Sequence, residues 1–297
     1  VTDQLVSLIM PVWRPRGDWL HTAVASAIAQ RNAATELIVV DDGNAEPIAQ
    51  LLPDFPDGRV HVLRVEHGGA AHARNAGIAA ARGSHFRFLD ADDVFEPDGT
   101  RRLLELLGGA DDRIAYAATL FCDERLNPTW TMTCDLQGLA REACLLGRFT
   151  VRLCSLLFPR RVVEATGAWD PALRVSQDWD YVLRTLDHAT VSGATFVAAR
   201  YRRSPGSNTG DMAAGAAGGR RVLEKYFERH PGERGSRLAR QAEAALEATL
   251  ARAYLTRGAP REALISATRS LARDPLALPR ELTRAMPAVA ARARRRR

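Results

Sequence analysis

Lysine is almost missing from this 297-residue chain: of its 41 basic residues only Lys225 is not arginine, and alanine recurs throughout. That bias reads as GC-rich coding and excludes nothing chemical. Cysteine is scarce, with four residues at 122, 134, 144 and 154. None form a Cys-x-x-Cys pair, which argues against a zinc ribbon, and a chain this long needs no disulfide staples. Isolated small apolar side chains in a reducing compartment are expected. No run approaches the roughly 20 apolar residues of a membrane span. The start, Val1-Thr2-Asp3-Gln4, has no basic stretch, and Leu5–Val12 is too short for a signal segment with its cleavage site. A soluble, cytoplasmic protein is the expectation. Excess charge is also missing from the body of the chain. The net charge is +6, and the arginines at 292 and 294–297 supply five of those positives. A nucleic-acid partner is therefore not indicated.

What is present is ordinary globular composition, 46% hydrophobic and 26% charged. Such a chain is neither disordered throughout nor fibrous. Short apolar runs at Leu5–Met10, Glu36–Val40, Val60–Val65 and His85–Leu89 read as strands. Helical patterns lie between and after them, at Asp18–Gln30, Pro47–Leu52, Ala70–Ala81 and Pro97–Leu107. Near-continuous apolar strands alternating with helices predict an α/β fold, an open and mostly parallel sheet covered on both faces. Further strands are expected at Arg113–Phe121 and Thr195–Tyr201, with helices at Arg160–Thr166 and Asp178–His188. Residues 206–219, rich in Gly and Ala, read as a linker. Helices follow at about 220–229, 236–257, 260–273 and 277–294, punctuated by Gly258, Pro260, Pro275 and Pro279. The division expected is a catalytic domain over 1–205, in halves of about 1–110 and 111–205, and a helical C-terminal region over 220–297.

The polar residues fall where the strands end. Pro11 closes the first strand, Asp41-Asp42 the second, Glu66-His67-Gly68-Gly69 the third and Asp90-Ala91-Asp92-Asp93 the fourth. In an open parallel sheet that edge lines the ligand crevice. Asp90 and Asp92, two apart on an extended segment, project to the same side. Two hard oxygen donors at this spacing suit Mg²⁺ or Mn²⁺, which keeps waters and shares a substrate's phosphates. For Asp93 a cap on the following helix is an equal alternative. No Gly-x-Gly-x-x-Gly follows the first strand, so a dinucleotide dehydrogenase is not indicated. Pro11-Val12-Trp13-Arg14-Pro15 stands where a nucleotidyltransferase would carry a Gly-rich loop and a lysine.

The ordered set Val6–Trp13, Glu36–Gly43, Ala73-Arg74-Asn75-Ala76-Gly77 with Ala81-Arg82-Gly83, Phe88–Asp93, Gly167-Ala168-Trp169-Asp170 and Gln177-Asp178-Trp179-Asp180 resembles the inverting family 2 glycosyltransferases of GT-A fold. The resemblance covers about residues 5–205. It implies transfer of a sugar from a UDP-, dTDP- or GDP-linked donor to a hydroxyl of a glycan, a lipid-linked sugar or a small natural product. Position by position, it puts Pro11, Val12, Trp13, Asp41 and Arg74 at the nucleotide. It puts Asp90 near the ribose, Ala91 among the nucleotide-sugar contacts, Asp92 on a metal that Asp90 supports, and Asp178 as catalytic base. The glutamate usual before that base is Gln177 here, which leaves no negative charge at 177.

The chemistry is coherent on its own terms. A divalent cation stabilises a departing diphosphate as a Lewis acid, and an acceptor hydroxyl needs a positioned base. A carboxylate at a helix N-terminus is held ionised by the dipole, and the plainer reading of Asp178 is a helix cap. On the acceptor side Trp169, Asp170 and Trp179 are candidates, with sugar stacking and a half-buried core role both open for the tryptophans. A non-catalytic sugar-nucleotide binder or scaffold is the alternative function. Leu282, Met286 and Val289 share a helix face ahead of the arginine cluster, a pattern that fits peripheral contact with an anionic membrane.

Overall fold

Every residue of Val6–Val12 (β1) and Thr35–Asp42 (β2) is buried, which is why the middle of each segment reads as an apolar run. The computed structural model describes residues 4–52, 58–133, 136–149, 151–203 and 212–281. Two compact units divide the chain: Val1–Ala140 with Val151–Ser204, and Arg141–Thr150 with Pro205–Arg297.

The first unit holds the sheet. Its other strands are Val60–Val65 (β3), His85–Phe88 (β4), Val94–Phe95 (β5), Arg113–Cys122 (β6), Pro128–Met132 (β7), Gln137–Gly138 (β8), Leu156–Pro159 (β9) and Thr190–Arg202 (β10). The order is β3-β2-β1-β4-β9-β6-β10-β5, with β7 on β6 and β8 on β10. Strands β3, β2, β1 and β4 are parallel, as is the β6–β10 pair, whereas β9 runs antiparallel to both β4 and β6. The sheet is therefore mixed, and β9, which has no periodicity of its own in four residues, joins its two parallel parts.

Helices Gly17–Ile28 (α1), Ala70–Ala80 (α2), Gly99–Leu107 (α3), Arg160–Thr166 (α5) and Gln177–Thr185 (α6) belong to this unit. In α1 the buried residues Leu20, Ala23, Val24 and Ala27 form one stripe at helical spacing. The helix expected over Pro47–Leu52 contracts to a single 3₁₀ turn at Ile48–Gln50, whose first N–H donates to the Asp41 carboxylate. Helix α2 lies close on β1: a Cβ on Gly77 would fall 2.5 Å from Ile9 Cγ2. A second close approach, at Gly83, would put a Cβ 2.6 Å from Ser7 Oγ.

Glu36 is the acid inside this layer. Ser7 Oγ donates to it at 2.6 Å, and Arg82 donates through its backbone N at 2.7 Å and Nε at 2.9 Å. Burial pushes the Glu36 carboxyl up, but these donors outweigh burial and hold it below the ordinary glutamate value. A carboxyl lowered in the folded state stabilises the fold above its unfolded value, and that stability is lost as pH falls through the folded value. Glu36→Gln should accordingly lower Tm at pH 7 and flatten the fall in Tm below about pH 4.5, the ordinary value. Parallel acid limbs for the two proteins in thermal melts would overturn this.

The second unit is helical. Arg141–Leu145 (α4) precedes Met212–Arg229 (α7), Arg237–Thr256 (α8) and Pro260–Arg273 (α9). Helix α7 begins at Met212, so residues 212–219, expected as linker, are helical. Their small side chains admit close packing, and a Cβ on Gly219 would meet Leu246 Cδ1 at 2.8 Å. Ser236 Oγ caps α8 by accepting from Ala239 N. The remaining helix expected over 277–294, with Leu282, Met286, Val289 and the arginine cluster, lies outside the described residues beyond Glu281. No helix among the described residues is long and apolar enough to cross a membrane.

Candidate active site

The carboxyl ends of β1, β2 and β4 deliver their polar groups to one edge, and the loops there are fixed by side-chain bonds. Asp41 and Asp42, the acids that end β2, are each 1% exposed and spent on those loops. Asp41 accepts from Asn44 N, Asn44 Nδ2 and Ile48 N. Burial pushes this carboxyl up, and the three donors with Arg64 nearby bring it below the ordinary value. Asn44 in turn donates to Val12 O at 2.9 Å and accepts from Arg14 N at 2.7 Å. The Asp41 carboxylate, expected at the nucleotide, is thus turned inward, and it shapes the end of β1 through Asn44. Pro11 and Val12 are likewise buried, and only Trp13 is open, at 40% exposure.

Asp42 holds the loop after β3. It accepts from Gly68 N at 2.9 Å and Gly69 N at 3.0 Å, and His67 Nδ1 lies 2.8 Å from its Oδ2. The His67 ring then stacks on Trp13, centroids 3.8 Å apart. A flat aromatic ledge results at the sheet edge.

Arg74 on α2 joins the two distant motifs. Its guanidinium donates to Asp90 Oδ1 at 2.7 Å and to Gln177 Oε1 at 3.2 Å, and stands 4.9 Å over the Trp169 ring. It is 5% exposed. Gln177 opens α6, so one buried cation ties the acidic loop to the N-terminus that carries Asp178. A neutral amide satisfies this bond, which explains why the chain can carry Gln at 177. Asp178 is half-buried in the first turn of α6, where its Oδ1 accepts from Trp179 N at 2.9 Å. The cap reading does not hold for Asp178, because Ser176 stands at the cap position and Asp178 is the second residue of the helix.

The acidic loop is fastened from the other side by Arg202, at the end of β10. Its backbone N donates to Asp93 Oδ1 at 2.9 Å, its Nε to Asp92 O at 2.8 Å and its NH1 to Glu124 O. The capping alternative for Asp93 fails, because α3 begins only at Gly99 and Asp93 anchors β10 instead. Burial and the neighbouring carboxylates push Asp93 well above its ordinary value; burial, then Asp90, push Asp92 up to about 6. Among the described residues no three acid, His or Cys side chains converge as a metal cage. Two crowded carboxylates suit instead a cation that completes its shell with water and substrate phosphate. The residues present fit Mg²⁺ or Mn²⁺ on those terms.

Of the two readings open for Trp169, sugar stacking and a core role, the core one holds. Trp169 is 1% exposed, stacked flat on Tyr181 at 3.9 Å, and edge-on to Phe88 at 5.3 Å, so no sugar can lie on it. Asn75 clamps its backbone, donating to Trp169 O and accepting from Trp169 N. Trp169→Ala should cost about 3–5 kcal/mol, as for other large buried aromatics, which denaturant titration would measure; a loss under 1 kcal/mol would contradict this core placement. Asp170 closes the next turn by accepting from Ala172 N, and Trp179 is half-buried on α6.

Comparisons with known proteins agree with this arrangement. The family model described as glycosyl transferase family 2 matches residues 7–157. An uncharacterised glycosyltransferase of Rickettsia prowazekii is 28% identical over 187 residues, 61% of this chain and 58% of that one. The succinoglycan biosynthesis protein ExoO of Rhizobium meliloti is 40% identical over 99 residues, 33% of this chain and 28% of its own. The chain thus spans less than two thirds of the length of these relatives, 58% of one and 28% of the other. Staphylococcus aureus TarS 1–349, solved in complex with UDP-GlcNAc, has a TM-score of 0.60 at 11% identity, covering 89% of this chain and 90% of that one. That likeness is one of fold, the GT-A type. On the strength of the match across half its length, the chain belongs to glycosyl transferase family 2.

Proposed function

We propose that this protein transfers a sugar from a nucleotide-diphosphate donor to an acceptor hydroxyl, with inversion and with Asp178 as general base. The Arg74 bridge between Asp90 and Gln177 carries the reading, because it gathers donor-side and base-side groups from distant parts of the chain, Gln177 lying 103 residues from Arg74. In this reading Trp13, backed by His67, takes the nucleobase, while Asp41 and the backbone of Pro11 and Val12 set the ledge's position. Asp90 and Ala91 border the ribose. Asp92, with Asp90 in support, would hold Mn²⁺ or Mg²⁺, which when bound supplies Lewis-acid neutralisation of the departing diphosphate. Asp178, at a helix N-terminus, accepts the acceptor's proton. Trp179 and Asp170 remain on the acceptor side.

TarS was solved with UDP-GlcNAc, which favours a UDP-linked donor over dTDP or GDP. ExoO's naming for succinoglycan synthesis favours a growing glycan, lipid-linked or free, as acceptor. A panel of UDP-, dTDP- and GDP-sugars with Mn²⁺, read by donor hydrolysis and thermal shift, tests this. Stabilisation with slow hydrolysis of a UDP-sugar is expected. Stabilisation without turnover, even with acceptors supplied, would leave the non-catalytic binder; no response to any donor would overturn both.

A further inference from the structure

Charge is segregated between the two units. The sheet-bearing unit carries 20 basic and 25 acidic residues, a balance of −5, whereas the helical unit carries 21 and 10, a balance of +11. Seven of those ten acids are already engaged by arginines of the same unit. Glu233 pairs with Arg141, Glu247 with Arg220, Glu224 and Glu228 with Arg221, Glu243 with Arg273, Asp274 with Arg280, and Glu281 with Arg252. All ten acids are already counted in the balance of +11, so the partner of that surplus is expected to be anionic.

Helix α9 adds a shape to that surplus. Its inner face is small and buried: Ala263, Ser266 and Ser270, the last donating to Ala244 O of α8 at 2.9 Å. The outer face carries Leu264 at 69% exposure, Ile265 at 43% and Leu271 at 45%. Arg261 stands one turn before Leu264 and Arg269 one turn after Ile265, both exposed. The lone acid of the helix, Glu262, falls on the flank beyond Arg269 rather than within this stripe. Leucines at seven-residue spacing, bordered by arginines, form an amphipathic surface of the kind that lies in a lipid headgroup layer. A nucleic acid would use the cations but gain nothing from three exposed aliphatic side chains.

We propose that the outer face of α9 docks on an anionic lipid bilayer, with Leu264, Ile265 and Leu271 entering the headgroup boundary and Arg261 and Arg269 meeting lipid phosphates. The proposal is independent of the catalytic reading. The full chain is sedimented with vesicles of phosphatidylcholine alone or mixed with phosphatidylglycerol, at low and high salt. Binding only to the mixed vesicles, weakened by salt, is expected. Leu264→Ser with Leu271→Ser should lower the partition at least ~10-fold, from apolar area lost. Arg261→Gln with Arg269→Gln should lower it about fivefold per arginine. Thermal melts check that these exposed changes leave the fold intact. Equal binding by wild type and the leucine variant would overturn the assignment, since cationic attraction elsewhere would then suffice. Absence of vesicle binding would also overturn it; a self-association abolished in the leucine variant would then assign the face to a second copy.

Discussion

Asp178→Asn is expected to lower sugar transfer by about 10²–10⁴-fold, the usual weight of a general base, with donor affinity nearly unchanged. The substitution is isosteric, and the amide oxygen can still accept from Trp179 N as Asp178 Oδ1 does. The Arg74 bond to Gln177 is untouched, so the N-terminus of α6 keeps its tie to the acidic loop. What is lost is the acceptor of a proton, so the fall should appear in kcat and not in the affinity for nucleotide. Fluorescence titration of donor binding beside steady-state transfer separates the two. Product anomeric configuration, read by NMR on the wild type, decides the mechanism. A product that retains the donor's configuration would overturn single displacement, whatever the variant does.

The sheet edge was legible because strand ends leave a strong mark: apolar runs stop abruptly at acids or glycines. The parallel strands and the helices between them follow from the same periodicity. Strand β9 and the two-residue strands β5 and β8 were not legible, since segments so short carry no pattern and are fixed by tertiary pairing. Motif residues were easier to find than to interpret. Asp41 and Asp42 stand at the edge as expected, yet both carboxylates serve loops, through Asn44 and through His67, Gly68 and Gly69. Much of the Ala73–Gly83 motif proves structural: Gly77 for its approach to Ile9, Asn75 for its clamp on Trp169, Arg82 for Glu36. Trp169 stayed open between its two readings because a tryptophan beside an acid looks the same in sequence whether it faces a sugar or Tyr181.

Arg202 was missed altogether. It lies 110 residues from Asp92 in sequence, and nothing in its neighbourhood marks it as more than another arginine. Its two bonds to Asp92 and Asp93 nevertheless make the acidic loop a fixed object, held by β10 on one side and by Arg74 on the other. A loop tethered at both ends can keep Asp90, Asp92 and Asp93 crowded together, an arrangement that like-charge repulsion opposes. The repulsion falls where the chemistry is proposed, as expected when a site is preorganised for a ligand of opposite charge.

That crowding gives Asp92→Ala two effects of opposite sign. Metal-dependent donor affinity should fall on the order of 100-fold or more, beyond the 10–100-fold typical of groups that only orient a metal ligand. Without metal, Tm should hold or rise, because one of three neighbouring carboxylates has gone and the anchors of the loop do not involve its side chain. Arg202 Nε donates to the Asp92 backbone carbonyl, which alanine keeps, and Arg202 N donates to Asp93. Calorimetric titration of UDP in Mn²⁺ and in EDTA, with thermal melts of both proteins in EDTA, measures the pair of effects. A structural role for Asp92 would lower Tm and weaken UDP equally in both solutions. A ligand role removes the difference between them and leaves the fold standing, and unchanged affinity in Mn²⁺ would end the metal assignment.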